Sequence, residues 1–185
     1  MKKIISSSLL ALTIALSGVI SGAAVQAQTT TTTNTPSNQT VRCSIAQSRL
    51  SARIESVETA KTTQLATYNE LASKLDTILE TAEASGYITT ELTSAKADVQ
   101  AKTTLYEEKA TAYSTSLSTT KELACGNSDT EFATALAASR KALTETRTAN
   151  TEVKTAFKET VIPSLKNYIT WFSEETATQN EQEMN

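Results

Sequence analysis

The sequence predicts an all-α protein, an elongated antiparallel three-helix bundle of coiled-coil type. Three observations carry that expectation. Apolar residues recur at helical period over long runs. Gly and Pro number only four and two in 185 residues, and aromatic residues make up only 5%. A β-sandwich or barrel would need many turns and large inward-facing side chains that this composition does not supply.

The first helix is expected between Ser44 and Ala84. A heptad seam starts at Gln47 and continues through Leu50, Ile54, Val57, Tyr68, Leu71, Leu75, Ile78 and Ala82. Lys61 and Gln64 interrupt it, while Leu65 and Leu79 widen the stripe. Its many Thr residues are poor helix formers, so tertiary packing must hold the helix. Ser85-Gly86 supplies the stop, because Gly accepts the left-handed conformation that helix ends commonly need.

A second helix is expected from Thr89 to Ala124, with Glu91 in its first turn favourable to the helix dipole. Its stripe runs from Ile88 through Leu92, Val99, Tyr106, Tyr113 and Leu117 to Ala124, at a mean spacing that suits a straight or gently coiled partner. Gly126 ends it. Ser128 with Glu131 forms a capping box that opens a third helix. That helix carries Phe132, Leu136, Leu143, Val153, Phe157 and Val161 on one face, and Pro163 is expected to kink or break it. Long helices joined by tight turns must fold back on one another.

The chain ends read differently. Met1-Lys2-Lys3 followed by the apolar run Ile4 to Ile20 and by Val25-Gln26-Ala27 has the pattern of an export signal cut after Ala27. The rival reading is a retained anchor, but Ser17, Gly18, Ser21 and Gly22 interrupt the run. No Cys follows it to carry a lipid. Residues 28–41 read as a disordered Thr-rich leader, with Asn38-Gln39-Thr40 as one acceptor pattern for glycosylation. Residues 42–175 form the expected bundle, and residues 176–185 a disordered tail.

Charge and cysteine usage bound the partners. The net charge is −3, and loss of Lys2 and Lys3 with the signal leaves 15 Lys+Arg against 20 Asp+Glu, a net −5. An acidic surface gives no reason to expect nucleic acid. Cys43 and Cys125 lie 43 and 39 residues from Gly86, so the folded hairpin brings both to one end. An even pair in an exported chain reads as a disulfide, the alternative being two separate thiols.

Val41-Arg42-Cys43-Ser44-Ile45, Ser85-Gly86-Tyr87, Ala124-Cys125-Gly126-Asn127-Ser128, Glu131-Phe132 and Pro163 occur in that order. In these segments the chain resembles a group of uncharacterised exported helical proteins of candidate phyla radiation (Patescibacteria-type) bacteria. The similarity covers residues 41–168, and its most specific piece is the Ala-Cys-Gly turn followed by Phe132. The resemblance implies an exported helical protein and no catalytic residues. Relatives carry a more basic residue just before the proline, where this chain has Ile162.

No catalytic, cofactor or metal site is expected. With no His, the commonest general base and metal ligand is missing. No Gly-rich phosphate loop or GxSxG is present. Ser73-Lys74 and Ser94-Ala95-Lys96 could be drawn as dyads, but on exposed faces such pairs are solvated surface. Glu107-Glu108 and Glu174-Glu175 diverge around a helix and cannot flank a substrate bond.

Two other groups stand out. Folding about the turns sets Lys61, Gln64, Tyr68, Tyr106, Tyr113, Arg140 and Arg147 at one level, a polar layer across the core. It reads as a small ligand pocket or as a register-fixing set of hydrogen bonds and Arg–Tyr stacking. Beyond Pro163, the stretch with Tyr168, Trp171 and Phe172 overhangs the bundle and holds the only Trp. It could cap the open end over Tyr87, stay free as a partner-binding anchor, or lie on a membrane surface, for which Lys166 alone gives little attraction.

The expected function is that of an exported, non-enzymatic structural or interaction protein of the cell envelope or surface. Its partner would be a protein or cell-surface component, and the protein itself a monomer or weak dimer without a stable membrane span. The alternative is an extracytoplasmic holdase chaperone, which would need a large apolar groove.

Overall fold

The computed structural model describes residues 36–126 and 128–183. The expected export signal and the leader up to residue 35 lie outside them. Among the described residues the protein is all-helical, and three helices pack together. They are α1 (Pro36–Ala84), α2 (Thr90–Leu123) and a third rod in which α3 (Asp129–Ala156) passes through a π-helical turn (Phe157–Val161) into α4 (Ile162–Glu183).

Both outer ends are helical further than composition suggested. Helix α1 begins at Pro36 rather than Ser44, and α4 continues to Glu183. Residues 36–41 and 176–183, read as leader and tail, are thus helix. Adding turns to an existing helix fixes few extra dihedrals per hydrogen bond, so polar residues can extend a helix where a packed segment has nucleated it. Pro36 sits at the first helical position, where its missing N–H is not needed.

The turns follow from their residues. The Gly86 N–H donates to the Glu83 carbonyl and the Tyr87 N–H to the Ala82 carbonyl, both at 3.0 Å, while Gly86 takes φ of +84°. This double bond pattern is the Schellman motif. Gly126 acts otherwise, because its φ is not positive. It lies so close to the end of α2 that a Cβ there would stand 3.3 Å from the Leu123 carbonyl oxygen. The Ser128 hydroxyl accepts from the Glu131 N–H at 3.2 Å, the N-cap half of the expected capping box.

The third rod does not end at Pro163. The chain stays helical through it, and the irregularity lies just ahead, where the Ile162 N–H donates to the Phe157 carbonyl five residues back. Proline has no N–H and crowds the carbonyl four residues before it, so an α-helix must rearrange locally to hold it. A π turn is such a rearrangement.

The core centres on Tyr68 and Leu75 from α1, Val99 and Tyr106 from α2, and Val153, Phe157 and Val161 from the third rod. Buried Ala95, Ala110, Ala149 and Ala156 let the helices approach. Ser114, Thr120, Ser139, Thr146, Asn150 and Ser164 are buried too. Burial of the hydroxyls costs little because they find partners within or across helices. Thr120 donates to the Ser116 carbonyl, Thr146 to the Ala142 carbonyl and Ser164 to the Thr160 carbonyl. Among the described residues no buried side-chain nitrogen or oxygen lacks a partner.

Candidate functional site

Of the residues expected in one polar layer, Tyr68, Tyr106 and Tyr113 are buried. Tyr68 is buried edge-on to Tyr106, with ring centroids 5.9 Å apart, and stacked on Phe157 at 6.4 Å. Its hydroxyl donates to Asn150 Oδ1. Burial pushes the Tyr68 phenol well above its usual range, with a smaller contribution from Tyr106, and burial raises Tyr106 likewise. Tyr113, also buried, accepts from Arg53 Nε at 3.2 Å, with the guanidinium 6.0 Å from its ring centroid.

Lys61 is half-buried and pairs with Glu58 at 2.6 Å rather than with Tyr113. That bond, followed by one from Ser114, holds the Glu58 carboxyl below the usual range. Gln64 is half-buried. Arg140 and Arg147 do not belong to the layer, since both are exposed. Each stands one residue past a buried position, Ser139 and Thr146, and one step rotates a side chain by about 100° around a helix. Arg53 and Asn150 take the place expected for them.

Sequence reasoning missed both replacements. Counting backward from Phe157 and Val153 by threes and fours leads to Asn150, Thr146 and Ser139, a seam hidden because its residues are polar. Arg53 flanks Ile54 beside the seam of α1, from which a long side chain can lay its stem over the core and its head on a phenol.

Tyr87 in the α1–α2 turn meets Tyr168 and Trp171 of α4, each with ring centroids 5.2 Å away. Tyr168 stacks on Trp171 at 6.3 Å and touches Phe172 at 6.1 Å. Asn167 Nδ2 donates to Glu91 Oε2 at 3.2 Å, tying α4 to the first turn of α2. The segment therefore does cap the turn, yet it is not covered. Ile88 is 80%, Ile169 62% and Phe172 45% exposed.

Cys43 and Cys125 stand at disulfide distance, with Cα atoms 5.1 Å apart. Ser73 and Ser94 are exposed, and the lysines of both imagined dyads are held by carboxylates, Lys74 by Glu70 at 2.7 Å and Lys96 by Asp76. A shallow groove of about 500 Å³ runs along α2 and α3, with Asp98, Lys102, Arg147, Glu152 and Glu159 on its walls. Its mixed charge favours no one ligand. Among the described residues no three His, Cys, Asp or Glu side chains gather as a metal site, and no helix is long and apolar enough to cross a membrane. Comparison with family models, curated proteins and solved structures gave no match.

Proposed function

We propose that the protein is an exported, non-enzymatic structural or interaction protein of the cell envelope or surface. An elongated antiparallel bundle, bent at the π turn and Pro163, would present one end to a macromolecular partner. The observation that carries this reading is the aromatic end formed by Tyr87, Tyr168, Trp171 and Phe172, with Ile88 and Ile169 bare beside it. Clusters of Trp and Tyr with exposed aliphatic neighbours are typical of surfaces that bind partners.

Antiparallel packing is supported by the contacts. Arg53 with Tyr113, Tyr68 with Tyr106 and Asp76 with Lys96 step upward along α1 and downward along α2. Thr120 with Ser139 and Lys109 with Glu145 do the same for α2 and α3. Export is supported by the cysteine pair, which suits an oxidising compartment, and by the resemblance to exported helical proteins of candidate phyla radiation bacteria. The holdase alternative draws less support, because the groove along α2 and α3 carries five charged residues among threonines and holds no large apolar side chain.

The test is site-specific photo-crosslinking of the oxidised chain against an extract of envelope and surface components. A probe at Phe172 should give discrete adducts that a probe at Glu107, on an exposed part of the shaft, does not. Equal labelling from both positions, or none from Phe172, would remove the end as the partner surface.

A further inference from the structure

The aromatic end differs from the shaft in its electrostatics. Ion pairs among the described residues all lie along the shaft, and none involves residues 77–95 or α4. At the end, Glu83, Glu91, Glu174 and Glu175 are exposed and enter none of them. Glu83 accepts from the Thr89 hydroxyl at 3.2 Å and Glu91 from Asn167. Lys166 is the one cation of the α4 sequence, which carries four Glu.

The backbone adds to this field. Helix α1 ends here with no basic residue in its last turn, and Glu83 sits at the negative end of its dipole. Stability alone would favour a cation at that position. The end thus combines bare aliphatic and aromatic surface with carboxylates that lack cationic partners.

We infer that this end takes a cationic amphipathic peptide segment, whose aliphatic side chains cover Ile88, Ile169 and Phe172 while its Lys or Arg side chains meet the four carboxylates. The inference rests on the proposed role of this end as a partner surface and names the partner's chemistry. A second copy of the chain would bring the same carboxylates and be repelled. So would an anionic membrane, and a neutral bilayer would have to draw the carboxylates toward its interface.

Trp171 is the sole Trp, so its emission reports on this end alone. The full oxidised chain is titrated with a Trp-free Leu/Lys amphipathic peptide, its Leu/Glu counterpart, oligolysine, and phosphatidylcholine vesicles with or without phosphatidylglycerol. The Leu/Lys peptide should shift the emission saturably; the Leu/Glu peptide and both vesicles should not. Oligolysine, lacking the apolar half, should bind at least about tenfold more weakly. Replacing Glu174→Gln with Glu175→Gln, both on the surface, should weaken binding about threefold or more, and added salt should do the same.

Equal response to Leu/Lys and Leu/Glu peptides would overturn the charge preference while leaving the end as a partner surface. A larger response to vesicles would overturn it in favour of lipid. If Glu107→Gln with Glu108→Gln on the shaft weakened binding as much as the end pair, the site would be misplaced. No response to any peptide, with discrete adducts still forming at Phe172, would overturn this inference alone; loss of those adducts as well would remove both readings.

Discussion

Tyr68 sets a phenol in the middle of the core, where its hydroxyl has one partner, Asn150 Oδ1. Tyr68→Phe keeps the ring contacts with Tyr106 and Phe157 but leaves the amide oxygen short of a donor. The expected loss is about 1–3 kcal/mol in urea unfolding. The two buried phenols also predict a pH dependence. Both have folded values raised above the unfolded one. Their contribution is complete below about pH 10, the unfolded value, and is lost as pH rises from there toward the folded values. The urea midpoint should therefore begin to fall near about pH 10 and keep falling above it, and Tyr68→Phe with Tyr106→Phe should flatten part of that drop. The meeting of Tyr68 with Tyr106 was legible, because residue counts from a tight turn fix which positions face each other. The exclusion of Arg140 and Arg147 was not. Their neighbours Ser139 and Thr146 are buried as hydroxyls that bond within or across helices, Ser139 with Thr120 and Thr146 with the Lys109 carbonyl. A seam built that way carries no hydrophobic signal.

At the scale of elements, boundaries were legible where a specific residue makes them. Ser128 and Gly86 bound helices by hydrogen bonds that their chemistry dictates, and both stand where expected. Gly86→Ala offers a clean measure of one such boundary. An added Cβ would meet nothing within 4 Å, so any loss comes from holding a non-glycine residue at φ of +84°. The expected cost is about 1–2 kcal/mol, read as a lower urea midpoint with an unchanged slope. The π turn was not legible as such. Pro163 announces that the helix must adjust, but a kink, a break and a widened turn all answer the same missing N–H. The outcome matters for the aromatic end, because each inserted residue rotates the remainder of the helix by about 100°. An Ala inserted between Lys158 and Glu159 should swing Tyr168 and Trp171 away from Tyr87. Trp171 emission should then move to longer wavelength, while the α1–α2 pairing of Tyr68 with Tyr106 remains.

For the molecule as a whole, Cys43 and Cys125 meet although 82 residues separate them, while Tyr87 meets Tyr168 and Trp171 at the α1–α2 turn. The meeting of the cysteines was legible because they lie 43 and 39 residues from Gly86, whereas the extent of α1 and α4 was not, since Thr-rich and acidic sequence can be helix or coil until packing decides. Closure between Cys43 and Cys125, 82 residues apart, should contribute about 4–5 kcal/mol in the chain-entropy model. Reduction should lower the urea midpoint accordingly, and Cys43→Ser with Cys125→Ser should reproduce the change without reductant. The same closure decides how the molecule would carry a pull. Tension applied at residue 41 and at Glu183 passes through the sulfur bridge from Cys43 to Cys125 and then along the third rod. The chain between the cysteines, which forms nearly all of α1 and α2, lies outside the loaded path. Stretched in an optical trap, the oxidised protein should yield only the length stored after Cys125, and reduction should release a further ~280 Å of contour from the shielded hairpin. A protein tethered at one terminus and gripped near the other would keep its first hairpin folded while the third rod gave way.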